Sequence, residues 1–150
     1  MLAVTQLGNV ALIMAASGAI AVYAYSKHRM RIAYAFAAII PAEFFNAGLK
    51  LLFDRARPKT QFARDIILDT KSFPSGHAFG SLVFYGLLAY LAYTYLPPGW
   101  NRAVPLGLGV LILLIGVSRV YLGAHYALDV LAGWVFAAVV LFLIILLLGR

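Results

Sequence analysis

The sequence predicts an all-α fold: a polytopic membrane helical bundle of about five transmembrane helices with one long polar loop over residues 54–75. Hydrophobic residues make up 64% of the chain, and its mean hydropathy is +0.93. Charged residues make up only 11%, whereas a soluble domain carries about a quarter. Because the chain has 150 residues, we expect one domain over residues 1–150.

Apolar segments long enough to cross about 30 Å of hydrocarbon define the expected helices. They lie near residues 8–26, 32–53, 76–96, 103–123 and 125–147. Pro41 predicts a kink in the second helix, because proline lacks an N–H group and clashes with the preceding turn. The basic residues of the 27–31 link are interpreted as an anchor at the cytoplasmic membrane surface.

The charge and cysteine content exclude several classes of function. The formal net charge is +7. The basic residues cluster outside the apolar segments, so membrane lipids or a phosphorylated substrate are the expected partners, and nucleic acid is not. The chain has no cysteine, which excludes disulfides, thiol catalysis and cysteine-ligated metals.

The densest group of chemically active residues lies between the last two apolar segments. Arg119 ends the fourth segment, and His125 and Asp129 begin the fifth. Residues four apart share one face of a helix, so the carboxylate is expected to orient the imidazole and stabilise its cation. Arg119 would bind an anion beside them.

The second apolar segment carries polar residues at helical spacing. Glu43, Asn46 and Lys50 are separated by three and four residues, which places them on one helix face. Ionisable groups within a span are costly and usually face the protein interior or a wet cavity. Two interpretations of Glu43 stay open: a structural pair with a neighbour, or a supporting role behind an active site.

The polar loop over residues 54–75 is expected to carry part of that site. Arg57 follows Lys50 by seven positions, and Pro74-Ser75-Gly76-His77 leads directly into the third helix. A helix N-terminus offers free N–H groups and a positive dipole to an anion. The other charged residues of the loop are Asp54, Arg55, Lys59, Arg64, Asp65, Asp69 and Lys71.

Membrane helices alternate in direction, and this alternation brings the candidate groups to one membrane face. The end of the second helix, the start of the third, the end of the fourth and the start of the fifth share that face. The candidate groups there are Lys50, Arg57, Ser75, His77, Arg119, His125 and Asp129. The opposite face holds Lys27, His28, Arg29, Arg31, Arg102 and Arg150.

These residue types suit phosphoryl transfer. Three cations, Lys50, Arg57 and Arg119, match the charged oxygens of a phosphoryl group. Because the cations would oppose a divalent metal and no acidic cluster is present, we expect no metal and no cofactor. One histidine can attack phosphorus while the other protonates the leaving oxygen. His125 has the carboxylate partner and is expected to be the nucleophile, and His77 the general acid.

The spacing of these residues resembles a known family signature. Lys50-x6-Arg57-Pro58, Pro74-Ser75-Gly76-His77 and Ser118-Arg119-x5-His125-x3-Asp129 are similar to the three motifs of the type 2 phosphatidic acid phosphatase (PAP2) superfamily. The resemblance implies a metal-independent lipid phosphatase that works through a phosphohistidine. It also implies catalytic roles for His125, His77 and Asp129, and phosphate binding by Lys50, Arg57, Ser75, Gly76 and Arg119. Supporting roles are expected for Glu43, Asn46 and Ser118.

The resemblance further implies a class of substrate and a location. Membrane members of the family dephosphorylate prenyl diphosphates such as undecaprenyl diphosphate, phosphatidylglycerol phosphate, phosphatidic acid or lipid A. The expected location is the bacterial inner membrane, with the site facing the periplasm. Such members commonly have six spans, so the five expected here leave three interpretations: a missing first helix, a compact variant or a fragment.

Other functions compete with a lipid phosphatase. A non-enzymatic anion or lipid transporter would use the same cations, and Glu43 and Asn46 would suit its path. A transporter does not require His125 and Asp129 to lie opposite a second histidine. Vanadate-dependent haloperoxidases share this kind of pocket but are soluble, which the composition contradicts.

Overall fold

The computed structural model describes residues 1–62 and 71–149. All regular secondary structure in these residues is helical. The helices are α1 (Leu2–Gln6), α2 (Val10–Ser26), α3 (Met30–Ala37), α4 (Ile39–Phe53), α5 (Gly76–Tyr95), α6 (Trp100–Tyr121) and α7 (Ala127–Gly149). The predicted all-helical bundle is therefore confirmed.

Four helical segments of the described chain are long and apolar enough to cross a membrane. They are Met30–Phe53, which joins α3 and α4, together with α5, α6 and α7. The first predicted span corresponds to α2, which is apolar but has 17 residues. At 1.5 Å per residue, α2 is about 25 Å long, so it is the shortest of the five predicted spans.

The second predicted span is interrupted rather than only kinked. Helix α3 ends at Ala37 and α4 begins at Ile39. Pro41 cannot donate a hydrogen bond to the carbonyl of Ala37, four residues earlier, and regular helix resumes with the bond from the Ala42 N–H to the Ala38 carbonyl. The break therefore lies one turn before the proline.

Helix α7 begins two residues later than predicted, which corrects the expectation that His125 lies on it. The Asp129 Oδ2 atom accepts a hydrogen bond of 2.9 Å from the Tyr126 N–H and so caps the helix start. His125 lies in the preceding turn, where its N–H donates to the Arg119 carbonyl and Gly123 adopts a φ of +68°. The turn, rather than a shared helix face, brings His125 towards Asp129.

The first turns of α5 and α7 are held together at close range. The Ser75 N–H donates a 2.9 Å hydrogen bond to the Asp129 carbonyl. One turn further along α7, a Cβ on Gly133 would lie 2.8 Å from the Ser75 carbonyl oxygen, so only glycine permits this approach. The starts of both helices, with their candidate site residues, are thereby fixed to one another.

The core lies among α2, the α3–α4 span, α5 and α7. Its most buried members include Ile13, Phe36, Phe79 and Leu87. Many large apolar side chains on the outer faces are exposed, as expected for helices that face lipid. This arrangement leaves the loop between α4 and α5 and the turn between α6 and α7 at one end of the bundle, which we call the site end.

The short helix α1 also belongs to the site end and was not predicted. Thr5, within α1, is buried and accepts a hydrogen bond from Arg119. Tyr85 on α5 donates a hydrogen bond to the Leu7 carbonyl, which follows α1. Arg31, at the opposite end, donates to the Leu148 carbonyl near the end of α7. Helix α1 and the residue after it therefore contact α5 and α6 at the site end.

Candidate active site

Lys50 occupies the last turn of α4 and points into the loop that precedes α5. Its Nζ atom donates to the carbonyls of Lys71 and Pro74, at 3.1 and 2.8 Å. The ammonium group also interacts electrostatically with Arg57, Arg119 and Asp129. Lys50 therefore positions the backbone just before Ser75 and adds positive charge beside the other cations.

Arg57 connects the polar loop to the turn between α6 and α7. Its Nη1 atom donates a 2.9 Å hydrogen bond to the Ala124 carbonyl and lies 3.3 Å from His125 Nε2. Because a guanidinium can only donate, Nε2 acts as the acceptor and the ring proton is assigned to Nδ1. Burial lowers the pKa of Arg57 below its ordinary value, and Asp129 opposes that change.

This tautomer directs the two ring nitrogens of His125 to different partners. Nε2 faces Arg57, while Nδ1 lies 3.5 Å from Asp129 Oδ2, which is longer than a standard N–H···O hydrogen bond. Burial lowers the pKa of His125 from 6.5 to about 4, although the Asp129 carboxylate raises it. The imidazole is therefore neutral at pH 7, and Nε2 is unprotonated and accepts from Arg57.

Asp129 is completely buried, at 0% exposure, and both of its oxygens have partners. Oδ2 accepts from the Tyr126 N–H and faces His125, as described above. Oδ1 forms a 2.8 Å ion pair with Arg55 Nη1. The carboxylate thus lies between the nucleophile candidate on one side and a cation from the polar loop on the other.

Arg119 is a buried cation at the end of α6. Its Nη1 atom donates a 2.6 Å hydrogen bond to the Thr5 hydroxyl. Its Nε atom is buried and has no hydrogen-bond partner among the described residues. Thr5 therefore holds one nitrogen of the guanidinium, and Nε is left as a donor for an anion.

The start of α5 has the geometry of an anion site. The buried Ser75 caps the helix, and its Oγ atom accepts from the Ala78 N–H at 3.4 Å. The N–H groups of Gly76 and His77 are in the first turn and have no intrahelical acceptor. The His77 imidazole interacts electrostatically with Arg119 and His125. A phosphate on these N–H groups would lie beside His77.

The predicted supporting residues lie behind this pocket. Glu43 and Asn46 are buried on α4, and each has a side-chain oxygen without a hydrogen-bond partner in the described chain. They face the first turns of α5: the position of a Cβ on Gly76 is 3.4 Å from Asn46 Nδ2, and Gly80 abuts the Glu43 carboxylate. The Ser118 hydroxyl donates to the Ile115 carbonyl within α6.

Part of the predicted polar loop falls outside the described residues. Arg64, Asp65 and Asp69 of the polar loop belong to residues 63–70, which the structure does not describe. Within residues 1–62 and 71–149, no group of three or more His, Cys, Asp and Glu side chains is arranged to hold a metal ion.

Two contacts of the site were missed by the sequence reasoning. Arg55 lies two residues before Arg57, but no helical spacing connects it to Asp129, 74 positions away. Thr5 lies 114 positions from Arg119, in a segment without a recognisable pattern. The only local signal was that Arg55 belongs to a cluster of charges after Lys50.

The comparison with protein families agrees with this geometry. The family model of the PAP2 superfamily matches residues 7–150, nearly the whole chain. The chain belongs to the PAP2 superfamily. Its three motif segments meet in one pocket at the site end, where the Lys50, Arg57, Arg119 and His125 side chains are all in contact with a neighbour from another segment.

Two relatives of this PAP2 chain come from Bacillus subtilis. The chain is 37% identical over 101 residues to phosphatidylglycerophosphatase B of strain 168, which covers 66% of this chain and 49% of the relative. The chain therefore spans about half the length of that relative. A crystal structure described as the first transmembrane PAP2 type phosphatidylglycerolphosphate phosphatase from Bacillus subtilis matches 95% of this chain and 71% of its own, with a TM-score of 0.77 and 28% identity.

Thr5 and Arg55 relate differently to the PAP2 pattern. Thr5 precedes the residues that the family model matches, so α1 adds a contact from outside that match. Arg55 lies inside the matched region but between the Lys50 and Arg57 positions of the motif. Both side chains contact groups to which the resemblance assigns roles, namely Arg119 and Asp129.

Proposed function

We propose that this PAP2 chain hydrolyses the phosphomonoester or diphosphate of a membrane lipid through a phosphohistidine at residue 125. One observation carries the proposal. The neutral His125 ring directs Nε2 towards Arg57 and Nδ1 towards Asp129, at 3.3 and 3.5 Å. A nucleophile beside an anion-binding cation, with a carboxylate behind it, is the arrangement that attack on a phosphate requires.

The first step forms a bond between His125 Nε2 and phosphorus. The bond between phosphorus and the leaving oxygen breaks with its electron pair on that oxygen. His77 donates a proton to the oxygen, which leaves as a lipid alcohol from a monoester or as a lipid monophosphate from a diphosphate. Asp129 stabilises the positive charge that develops on the His125 ring.

The second step releases phosphate and restores the enzyme. Water attacks the phosphorus of the phosphohistidine and transfers a proton to His77. The bond between Nε2 and phosphorus breaks, inorganic phosphate leaves, and His125 is again neutral. The sum is lipid phosphate plus water, giving the dephosphorylated lipid plus inorganic phosphate.

Positive charge from the protein replaces the metal that many phosphatases use. Lys50, Arg57 and Arg119 come from three separate segments and surround the pocket with fixed donors. Such preorganised donors stabilise the charge on the transferring phosphoryl oxygens, and one of them is typically worth about 10²–10³ in rate. The first-turn N–H groups of α5 add to this binding.

Phosphatidylglycerol phosphate is the substrate that we propose first. Both relatives carry names that assign them to phosphatidylglycerophosphate. The loop over residues 54–75 leaves little room for a large domain that recognises a headgroup, which favours a simple headgroup with the acyl chains remaining among the helices. Undecaprenyl diphosphate and phosphatidic acid carry the same phosphoryl chemistry and are the alternatives to test.

We further propose that the site faces the extracytoplasmic side of a bacterial inner membrane. The opposite end carries Lys27 and Arg29 on the short link between α2 and α3, and Arg31 and Arg102 in the first turns of the helices that follow such links. Short cytoplasmic links of membrane proteins are enriched in Lys and Arg. Four of the described basic residues at the site end, Lys50, Arg55, Arg57 and Arg119, contact carbonyls, Asp129, His125 or Thr5, so the pocket accounts for these four.

Phosphate release in detergent, with chelator present, tests the proposal. The substrates are phosphatidylglycerol phosphate, undecaprenyl diphosphate and phosphatidic acid. We expect release from at least one lipid, at an unchanged rate when chelator is added. Inhibition by chelator would contradict the metal-free mechanism. Tight binding of these lipids without any release would favour the transporter instead.

A further inference from the structure

Asp129, the carboxylate partner of the candidate nucleophile, forms its shortest ion pair with Arg55, a residue at an unspecified position of the first motif. Asp129 Oδ1 lies 2.8 Å from Arg55 Nη1, whereas Asp129 Oδ2 lies 3.5 Å from His125 Nδ1. Charge-assisted hydrogen bonds of 2.7–2.9 Å are about twice as strong as neutral ones. The orientation of the Asp129 carboxylate is therefore determined more by Arg55 than by the histidine.

Arg55 is itself held in place by the turn that carries His125. Its guanidinium carbon lies 4.5 Å from the centroid of the Tyr126 ring, within the range of a cation–π contact. The N–H of the same Tyr126 donates to Asp129 Oδ2. Tyr126 therefore contacts both the cation and the carboxylate, and the three residues form one unit directly behind His125.

We propose that Arg55 is a positioning residue that fixes the Asp129 carboxylate so that Oδ2 faces His125. The inference rests on the proposed phosphatase function. With Oδ1 bound to Arg55 and Oδ2 bound to the Tyr126 N–H, the carboxylate plane cannot rotate without breaking an ion pair or the helix cap. Arg55 acts through Asp129, so it need not touch the substrate.

Because Asp129 is buried, the loss of its ion pair with Arg55 is expected to move the carboxylate. The Asp129 side chain is 0% exposed, whereas that of Arg55 is 37% exposed. A buried carboxylate that loses its partner either rotates towards another donor or draws in water. Either change alters the position of Oδ2 relative to the His125 ring. Arg55 remains open to solvent on its other side, so its replacement need not collapse the core.

Arg55 also limits how strongly Asp129 stabilises the protonated imidazole. The charged and titratable groups that face His125 come from every surrounding element: Lys50 of α4, Arg57 of the loop, His77 of α5, Arg119 of α6 and Asp129 of α7. Asp129 is the only anion in this set, and Arg55 partly neutralises it. Removing the Arg55 charge would therefore raise the pKa of His125 and make the neutral nucleophile scarcer in acid.

The test compares the kinetics of Arg55→Met with the matched variant Arg102→Met, which removes an exposed arginine at the opposite end. We expect kcat of Arg55→Met to fall about 10- to 100-fold, the usual cost of losing a group that orients an active-site residue. KM and inhibition by inorganic phosphate should stay within about twofold of the parent protein. The acid limb of the profile of kcat/KM against pH should move up by about half a unit to one unit. Arg102→Met should match the parent.

Arg55→Lys keeps the inference testable if the methionine variant folds poorly. Lysine retains the charge but loses the planar fork and the stacking on Tyr126. We expect its acid limb to coincide with that of the parent, while its kcat lies between those of the parent and Arg55→Met. An acid limb that moves equally in both variants would overturn the electrostatic part of the inference.

Other roles for Arg55 would give different results. A residue that only stabilises the fold would lower the melting temperature but leave kcat and the pH profile of the folded fraction unchanged. A residue that binds substrate would raise KM and weaken phosphate inhibition. Either result overturns the positioning role. If the parent releases no phosphate, or His125→Ala remains active, the proposed function fails, and the inference fails with it.

Discussion

Both ends of the bundle carry basic residues, but these residues occupy different environments. At the site end, Arg119 is buried, Lys50 and Arg57 are partly buried, and their nitrogens contact carbonyls, a hydroxyl or a histidine. At the opposite end, Lys27 and Arg102 are exposed. The two ends therefore differ in the burial and the partners of their cations, which is the basis for proposing a phosphate pocket at one end and a membrane anchor at the other.

Two histidines, one at each end of the bundle, show the same difference in environment. His125 is 3% exposed, and its two ring nitrogens face an arginine and an aspartate. His28 is exposed in the turn between α2 and α3, at the opposite end. Of these two histidines, His125 has the neighbouring carboxylate and arginine, so it is the one that we propose as the nucleophile.

The largest expected effect therefore separates these two histidines. His125→Ala should lower phosphate release by about 10⁴-fold or more, because no other described group replaces the attacking nitrogen. His28→Ala, the matched control, should keep the parent rate. Both variants should show the helical circular dichroism of the parent. Equal rates for the two variants would show that the difference between the ends has no catalytic meaning.

The next effect tests the carboxylate behind His125. Asp129→Asn keeps the size of the side chain but loses the charge that faces His125 Nδ1 and Arg55, so we expect kcat to fall about 10³- to 10⁴-fold. Steady-state kinetics with the preferred lipid would measure it. A rate within a few-fold of the parent would rule out an orienting role for Asp129.

A smaller effect tests the contribution of α1 to the site end. Thr5→Val is nearly isosteric but removes the hydroxyl that accepts from Arg119, and losing a hydrogen bond to a charged group costs about 1.5–3 kcal/mol. We expect weaker inhibition by inorganic phosphate, by about 10-fold or more, whereas Thr5→Ser should match the parent.

The control for Thr5 is a buried hydroxyl away from the pocket. Ser17 is buried on α2, with no hydrogen-bond partner among the described residues. Ser17→Ala should leave phosphate inhibition unchanged. If Thr5→Val behaves like Ser17→Ala, the contact between α1 and Arg119 does not contribute to phosphate binding.

The fold and most of the pocket were predictable because both depend on short-range patterns. Long apolar segments determine membrane helices, and alternation of direction then determines which loops share a face. That reasoning placed Lys50, Ser75, Arg119 and His125 at one end, and the contacts between their segments agree with it. The predicted roles of these residues remain to be tested.

The sequence reasoning failed where geometry depends on caps and distant contacts. Helix α7 begins after His125 because the Asp129 carboxylate accepts a hydrogen bond from the Tyr126 N–H and caps the helix. The spacing of apolar residues does not reveal this cap. The full break at Ala38 results from the carbonyl that Pro41 cannot satisfy. The partners of Arg55 and Thr5 are 74 and 114 positions away, beyond any local pattern.

The most direct test of the central claim is to trap the phosphorylated enzyme. The parent, His28→Ala and His125→Ala would be mixed rapidly with ³²P-labelled phosphatidylglycerol phosphate, or the lipid that proves the best substrate, and quenched in alkali, which preserves phosphohistidine. We predict an acid-labile label on residue 125 in the parent and in His28→Ala, and no label in His125→Ala. A label on another residue, or parent-like phosphate release from His125→Ala, would contradict the account.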